Sequence, residues 1–139
     1  SLRRRHIMRA ALIAFLIAVP GLPATAESNF VPSLDSEPDV CTERPAEPDW
    51  MKNIGVREAY KRVLVQDIYR AQNLERIVEA GSCACDIRFP SWEAAETVFL
   101  ERFAAAERWK MLEASDRYNR RANAVRPEAM AICEAEGNW

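Results

Sequence analysis

Four cysteines, Cys41, Cys83, Cys85 and Cys133, stand behind a leader that reads as an export signal, and together these features constrain the fold most. The leader has three parts. Arg3, Arg4, Arg5 and Arg9 are basic, residues 10–19 are an apolar run, and Pro20, Gly21 and Pro23 break it before Ala24-Thr25-Ala26. Small residues at −3 and −1 predict cleavage after Ala26, with 1–26 as the signal peptide. The apolar run is too short to cross a bilayer as a helix. From Met8-Arg9 onward the leader already makes a complete, short signal. Arg4 and Arg5 resemble a twin-arginine signal only faintly, and no cysteine at the cleavage point offers a lipid anchor. The mature chain is therefore expected to fold in an oxidising compartment, as a periplasmic protein without stable membrane insertion.

In that compartment four cysteines read as two disulfides. Three pairings are possible. Cys83 with Cys85 makes a strained ring and is disfavoured. The expected arrangement sends one connector cysteine to Cys41 and the other to Cys133. The competing one, Cys41–Cys133 beside Cys83–Cys85, follows if a helix runs unbroken from Ser91 to Val125, because helix rise would carry the C-terminus about 50 Å away. A redox pair or a metal site is a poorer reading of Cys83-Ala84-Cys85. Redox pairs favour two intervening residues at a helix N-terminus.

Histidine occurs once, at His6, within the signal. The mature chain thus has no residue for Ser-His-Asp or Cys-His catalysis or for histidine-ligated metals. No metal and no cofactor are expected. Without the four signal arginines, 15 basic residues face 21 acidic ones. The excess is local. Glu27, Asp35, Glu37, Asp39, Glu43, Glu47 and Asp49 face Arg44 alone, and residues 51–139 are balanced. Such a distribution offers no footprint for nucleic acid.

Pro32, Pro38, Pro45 and Pro48 keep 27–50 out of regular structure, so this segment is predicted to be an acidic, extended arm, loose to about Asp35. The helical domain is placed at 51–139. From about Asn53 to Ala80, the residues Tyr60, Leu64, Ile68, Ala71, Leu74 and Val78 recur at helical spacing. Glu58–Arg62 is the expected supporting pair, and Gly81 the C-cap. Ser91 reads as the next N-cap. Trp92, Ala95, Phe99, Phe103 and Ala106 mark a buried stripe, with Glu113–Arg117 and Asp116–Arg120 as further pairs. No Gly or Pro lies between Ser91 and Pro127. A break is expected near Asn119–Asn123, and Pro127 is expected to open a short last helix that Gly137 ends. The fold class is all-α: a disulfide-stapled bundle of two long helices and a short C-terminal one, with an N-terminal arm.

Candidate sites are sparse. Trp50 and Trp139 flank the body and suit partner contacts. Trp92 reads as core. Arg117, Arg120, Arg121 and Arg126 form a basic cluster, read either as a solvated face or as a dock for an acidic partner. Glu93, Glu96 and Glu101 are the residues a carboxylate glycosidase would use.

Segment 81–96, GSCACDIRFPSWEAAE, resembles small exported proteins associated with bacterial type IV secretion and conjugal transfer. The resemblance implies a non-enzymatic envelope accessory or adaptor with a protein partner, and it assigns no site residue. The alternatives are a periplasmic inhibitor or chaperone-like binder, and a carboxylate-dependent cell-wall hydrolase.

Overall fold

Apolar residues at helical spacing need a second surface to cover them, and the chain supplies it with a second long helix. The computed structural model describes residues 40–139, which lie in one compact unit. Its helices are α1 (Asp49–Lys52), α2 (Ala59–Ala80), α3 (Cys85–Arg88), α4 (Glu93–Arg102) and α5 (Arg108–Ala135), with a 3-10 turn at Val56–Glu58. No strand is present among the described residues. The loose part of the predicted arm, and the signal peptide, lie outside them.

α2 follows the expected stripe. Leu64, Ile68, Ala71 and Leu74 are buried, and Tyr60 and Val78 pack at the edge. It ends where predicted, because Gly81 adopts φ 61°, a left-handed conformation that costs glycine least. Gly137, at φ 69°, does the same after α5.

α5 runs parallel to α2. The Arg108 guanidinium sits 5.1 Å from the Tyr60 ring, Ser115 donates to Asp67, Arg70 donates to Asn119, and Cys83 is bonded to Cys133. The register is nearly constant along the pair. Its seam buries Met111, Ala114, Tyr118, Ala122 and Ala129 against α2. Small alanines let the two backbones approach closely, so long side chains at those positions would force the helices apart.

Parallel helices need a return segment, and α3 and α4 provide it. The expected turn-back in the second half is present, but its position and the role of Pro127 differ from the sequence reading. No helix spans Ser91 to Val125. The break falls at 103–107, within Phe103-Ala-Ala-Ala-Glu107, and Asn119–Asn123 is continuous helix. Pro127 opens no helix; it lies inside α5. A proline there leaves the carbonyl four residues earlier without its partner, a cost that packing of Ala129 and the bond at Cys133 offset. The C-terminal helix is accordingly the longest, not a short one. α4 begins at Glu93 with Trp92 as its N-cap, which makes no side-chain capping bond. The expected stripe is kept: Ala95 and Phe99 are buried, and Trp92, Phe103 and Ala106 pack at the edge.

The segment from Cys41 onward belongs to the body. Glu47 bonds Arg62 at 2.6 Å and also accepts from Gln66, so Arg62 does not pair with Glu58; Lys61 does, at 2.7 Å. Pro45 O accepts from Trp92 Nε1. α1 then inserts Met51, which is fully buried.

Tyr69 locks the return segment to α2. Its ring stacks on Trp92 with centroids 3.8 Å apart, and its hydroxyl donates to Pro90 O at 2.7 Å. Burial pushes its phenol above the usual range. The unfolded chain ionises Tyr69 near pH 10 and the folded chain later, so its contribution is whole below about pH 10 and is lost as pH rises toward the folded value. Urea melts should show a steeper alkaline loss of stability in the wild type than in Tyr69→Phe, which should itself cost about 1 kcal/mol at neutral pH through the lost bond. Equal alkaline slopes would refute this assignment.

Candidate functional site

Three segments far apart in sequence meet at the C-terminal end of the α2–α5 pair: residues 40–45, the connector 83–89, and the end of α5. Two disulfides hold them, Cys41–Cys85 and Cys83–Cys133. The expected pattern of one bridge to the arm and one to the last helix is what the structure has, and no cysteine is free. Cys83 and Cys133 are fully buried.

Polar contacts complete the junction. After Gly137 the chain folds back over the connector, and Asn138 is buried there. Its side chain donates to Cys83 O and accepts from Arg88 at 3.0 Å. Glu136 accepts from the Cys83 amide at 2.7 Å. These bonds satisfy backbone groups that the connector, being irregular, leaves without helical partners.

On this frame, three arginines alternate with two aromatic rings. The Arg44 guanidinium lies 4.0 Å from the Phe89 centroid. Arg88 lies 5.0 Å from Phe89 and 5.2 Å from Trp139. Arg126 lies 5.3 Å from Trp139 on its other contact. A guanidinium held near a ring face is attracted by the ring's quadrupole, and its planar fork suits carboxylates. An open groove of about 380 Å³ adjoins the row, lined by Val40, Thr42, Pro45, Cys85, Asp86 and Phe89 among others. Val40 at its rim is 59% exposed, so apolar surface is on offer beside the cations. Glu43 and Asp86 give the rim negative charge as well. The corner thus presents cations, acids and apolar surface side by side.

Of the residues nominated from sequence, Trp139 and Arg126 are in this row. Trp50 is elsewhere: it stacks on Phe99 at 5.6 Å and donates to Glu96 at 2.8 Å. Arg117 pairs with Glu113 at 3.1 Å, as its spacing predicts. Arg121 grips Glu75 with two bonds of 2.9 and 2.8 Å, which hold its proton more firmly than usual. Arg120 is exposed on α5. The basic cluster is therefore partly spent on the body's own acids. Glu93 and Glu101 are exposed on α4 and Glu96 serves Trp50. Among the described residues, no group of three His, Cys, Asp or Glu side chains is placed to hold a metal ion. Arg44, Arg88, Phe89 and Asn138 escaped the sequence reading, because no periodicity or motif marks them; their proximity to cysteines was the available signal.

No described helix is long and apolar enough to cross a membrane. Compared with known proteins, the chain matches no family model, no curated protein and no solved structure.

Proposed function

We propose that the chain is an exported, periplasmic accessory or adaptor that binds another protein of the cell envelope, in a type IV secretion or conjugation apparatus, and that it is not an enzyme. The observation that carries the reading is the row Arg44, Phe89, Arg88, Trp139 and Arg126 beside an open groove. Arginine and tryptophan fixed on a rigid frame are the usual anchors of protein interfaces, since little side-chain freedom is left to lose on binding. Two disulfides at this corner supply the rigidity. The signal-like leader supports export, and the likeness of segment 81–96 supports the apparatus.

Mild crosslinking in envelope fractions tests the proposal. The wild type should give a discrete crosslinked partner. Arg126→Glu reverses an exposed charge without touching the core, and should weaken capture about tenfold. A protein that stays monomeric with no captured partner, or capture indifferent to Arg126→Glu, would overturn it.

A further inference from the structure

The other end of the α2–α5 pair, about 33 Å from the disulfides by helix rise over 22 residues, carries a different surface. Val56 is 93% exposed, Trp109 58%, and Val63 and Leu112 each 47%. Tyr60 and Val63 are three apart on α2, Val56 precedes them in the 3-10 turn, and Trp109 and Leu112 are three apart on α5. The contact of Arg108 with Tyr60 and the bond of Ser115 to Asp67 bracket Val63 and Leu112 at one level of the seam. All four exposed apolar residues therefore belong to this end of the pair: Val63 and Leu112 at one level of the seam, Val56 in the turn before α2 and Trp109 in the first turn of α5.

Charge at this end differs from that of the whole chain. Residues 56–61 and 107–112 hold Arg57, Lys61, Arg108 and Lys110 against Glu58 and Glu107. Glu58 is occupied by Lys61, at 2.7 Å, and Glu107 accepts from the Trp109 indole. These two segments thus carry a net positive charge beside a tryptophan and aliphatic side chains, with Lys110 5.3 Å from the Trp109 ring. Val56 at 93% exposure projects from the body rather than lining a depression. A projecting apolar tip suits a deformable surface, and tryptophan ringed by long cationic side chains is the composition that settles at the headgroup level of a bilayer.

We propose that this end is a peripheral membrane contact, seated on a bilayer of anionic phospholipid: Val56, Val63, Trp109 and Leu112 enter the interface while Arg57, Arg108 and Lys110 meet the phosphates. No segment is inserted across the bilayer. The contact is independent of the arginine–aromatic corner, which it would leave free at the far end for a protein.

Sedimentation with phosphatidylglycerol-containing vesicles and with phosphatidylcholine vesicles, using the oxidised mature chain, tests it. Binding should favour the anionic vesicles and weaken with salt, by screening. Trp109→Ser should reduce it severalfold. Each of Arg57→Gln and Lys110→Gln should reduce it about fivefold, the scale of one cation at a charged surface. Val40→Ser, at the opposite end, should leave it unchanged and serves as the control for exposed apolar loss. Absence of binding to the anionic vesicles, equal binding to both kinds, or equal loss in Val40→Ser and Trp109→Ser would each overturn the proposal. None of these results bears on capture through Arg126, so the two readings fail separately.

Discussion

Replacing Cys83 and Cys133 together by alanine is expected to lower stability by about 4 kcal/mol, the chain-entropy value for a loop of some 50 residues. Urea unfolding of the oxidised double variant measures it. The loop closed by Cys41–Cys85 spans 44 residues, so its entropic value is nearly the same. The consequences should nevertheless differ. Cys83 and Cys133 are fully buried where α2, the connector and α5 converge, and Asn138 and Glu136 bond the Cys83 backbone there. Losing that bridge frees the end of α5 and leaves those polar groups to find new partners. Losing Cys41–Cys85 frees mainly residues 40–48, which should become the first site of proteolysis. A loss below about 1 kcal/mol for Cys83→Ala/Cys133→Ala would mean that packing of α5 on α2 fixes the junction without the bond.

Met51→Ala is expected to cost about 2–5 kcal/mol, the range for emptying a buried methionine site. Met51 is fully buried yet belongs to a helix of only four residues, Asp49–Lys52. So short a helix has no stability of its own. It is held by Met51 in the core, Trp50 on Phe99 and Glu47 on Arg62. Removing Met51 should therefore also loosen the segment leading back to Cys41, visible as faster amide exchange at residues 42–52. A cost under about 1 kcal/mol with unchanged exchange would show α1 to be an ornament on a complete core.

These two sites differ in how far the sequence disclosed them. Periodicity alone placed the α2 stripe, because an amphipathic helix of 22 residues repeats its pattern many times. Gly81 was legible for a local reason, since the left-handed cap needs a residue without a Cβ. Met51 was not, because one apolar residue after a run of prolines has no period to belong to. The arginine–aromatic corner was half legible: Trp139 and Arg126 stand out by type, whereas Arg44, Arg88 and Phe89 acquire meaning only once the bridges bring the segments together.

The break in the second half shows the limit most plainly. Phe103-Ala-Ala-Ala-Glu107 contains good helix formers, and Pro127 is the strongest helix breaker in the region. Local rules accordingly place the break near Asn119–Asn123, with Pro127 opening the next helix, whereas it falls at 103–107. A chain that continued α4 would leave the apolar side of α2 without a partner and Cys133 far from Cys83. Turning at 103–107 starts α5 beside Tyr60, and its length then delivers Cys133 to Cys83. The burial gained along the whole α2–α5 seam outweighs both the lost turn and the proline inside α5. The sequence by itself determined the helical class, the α2 face, its glycine cap and the general pattern of the two bridges, because those depend on near neighbours or on the chemistry of cysteine. The parallel order of the long helices, the position of the turn and the two surfaces at their opposite ends were decided only by tertiary structure, because each depends on contacts between residues some 50 positions apart.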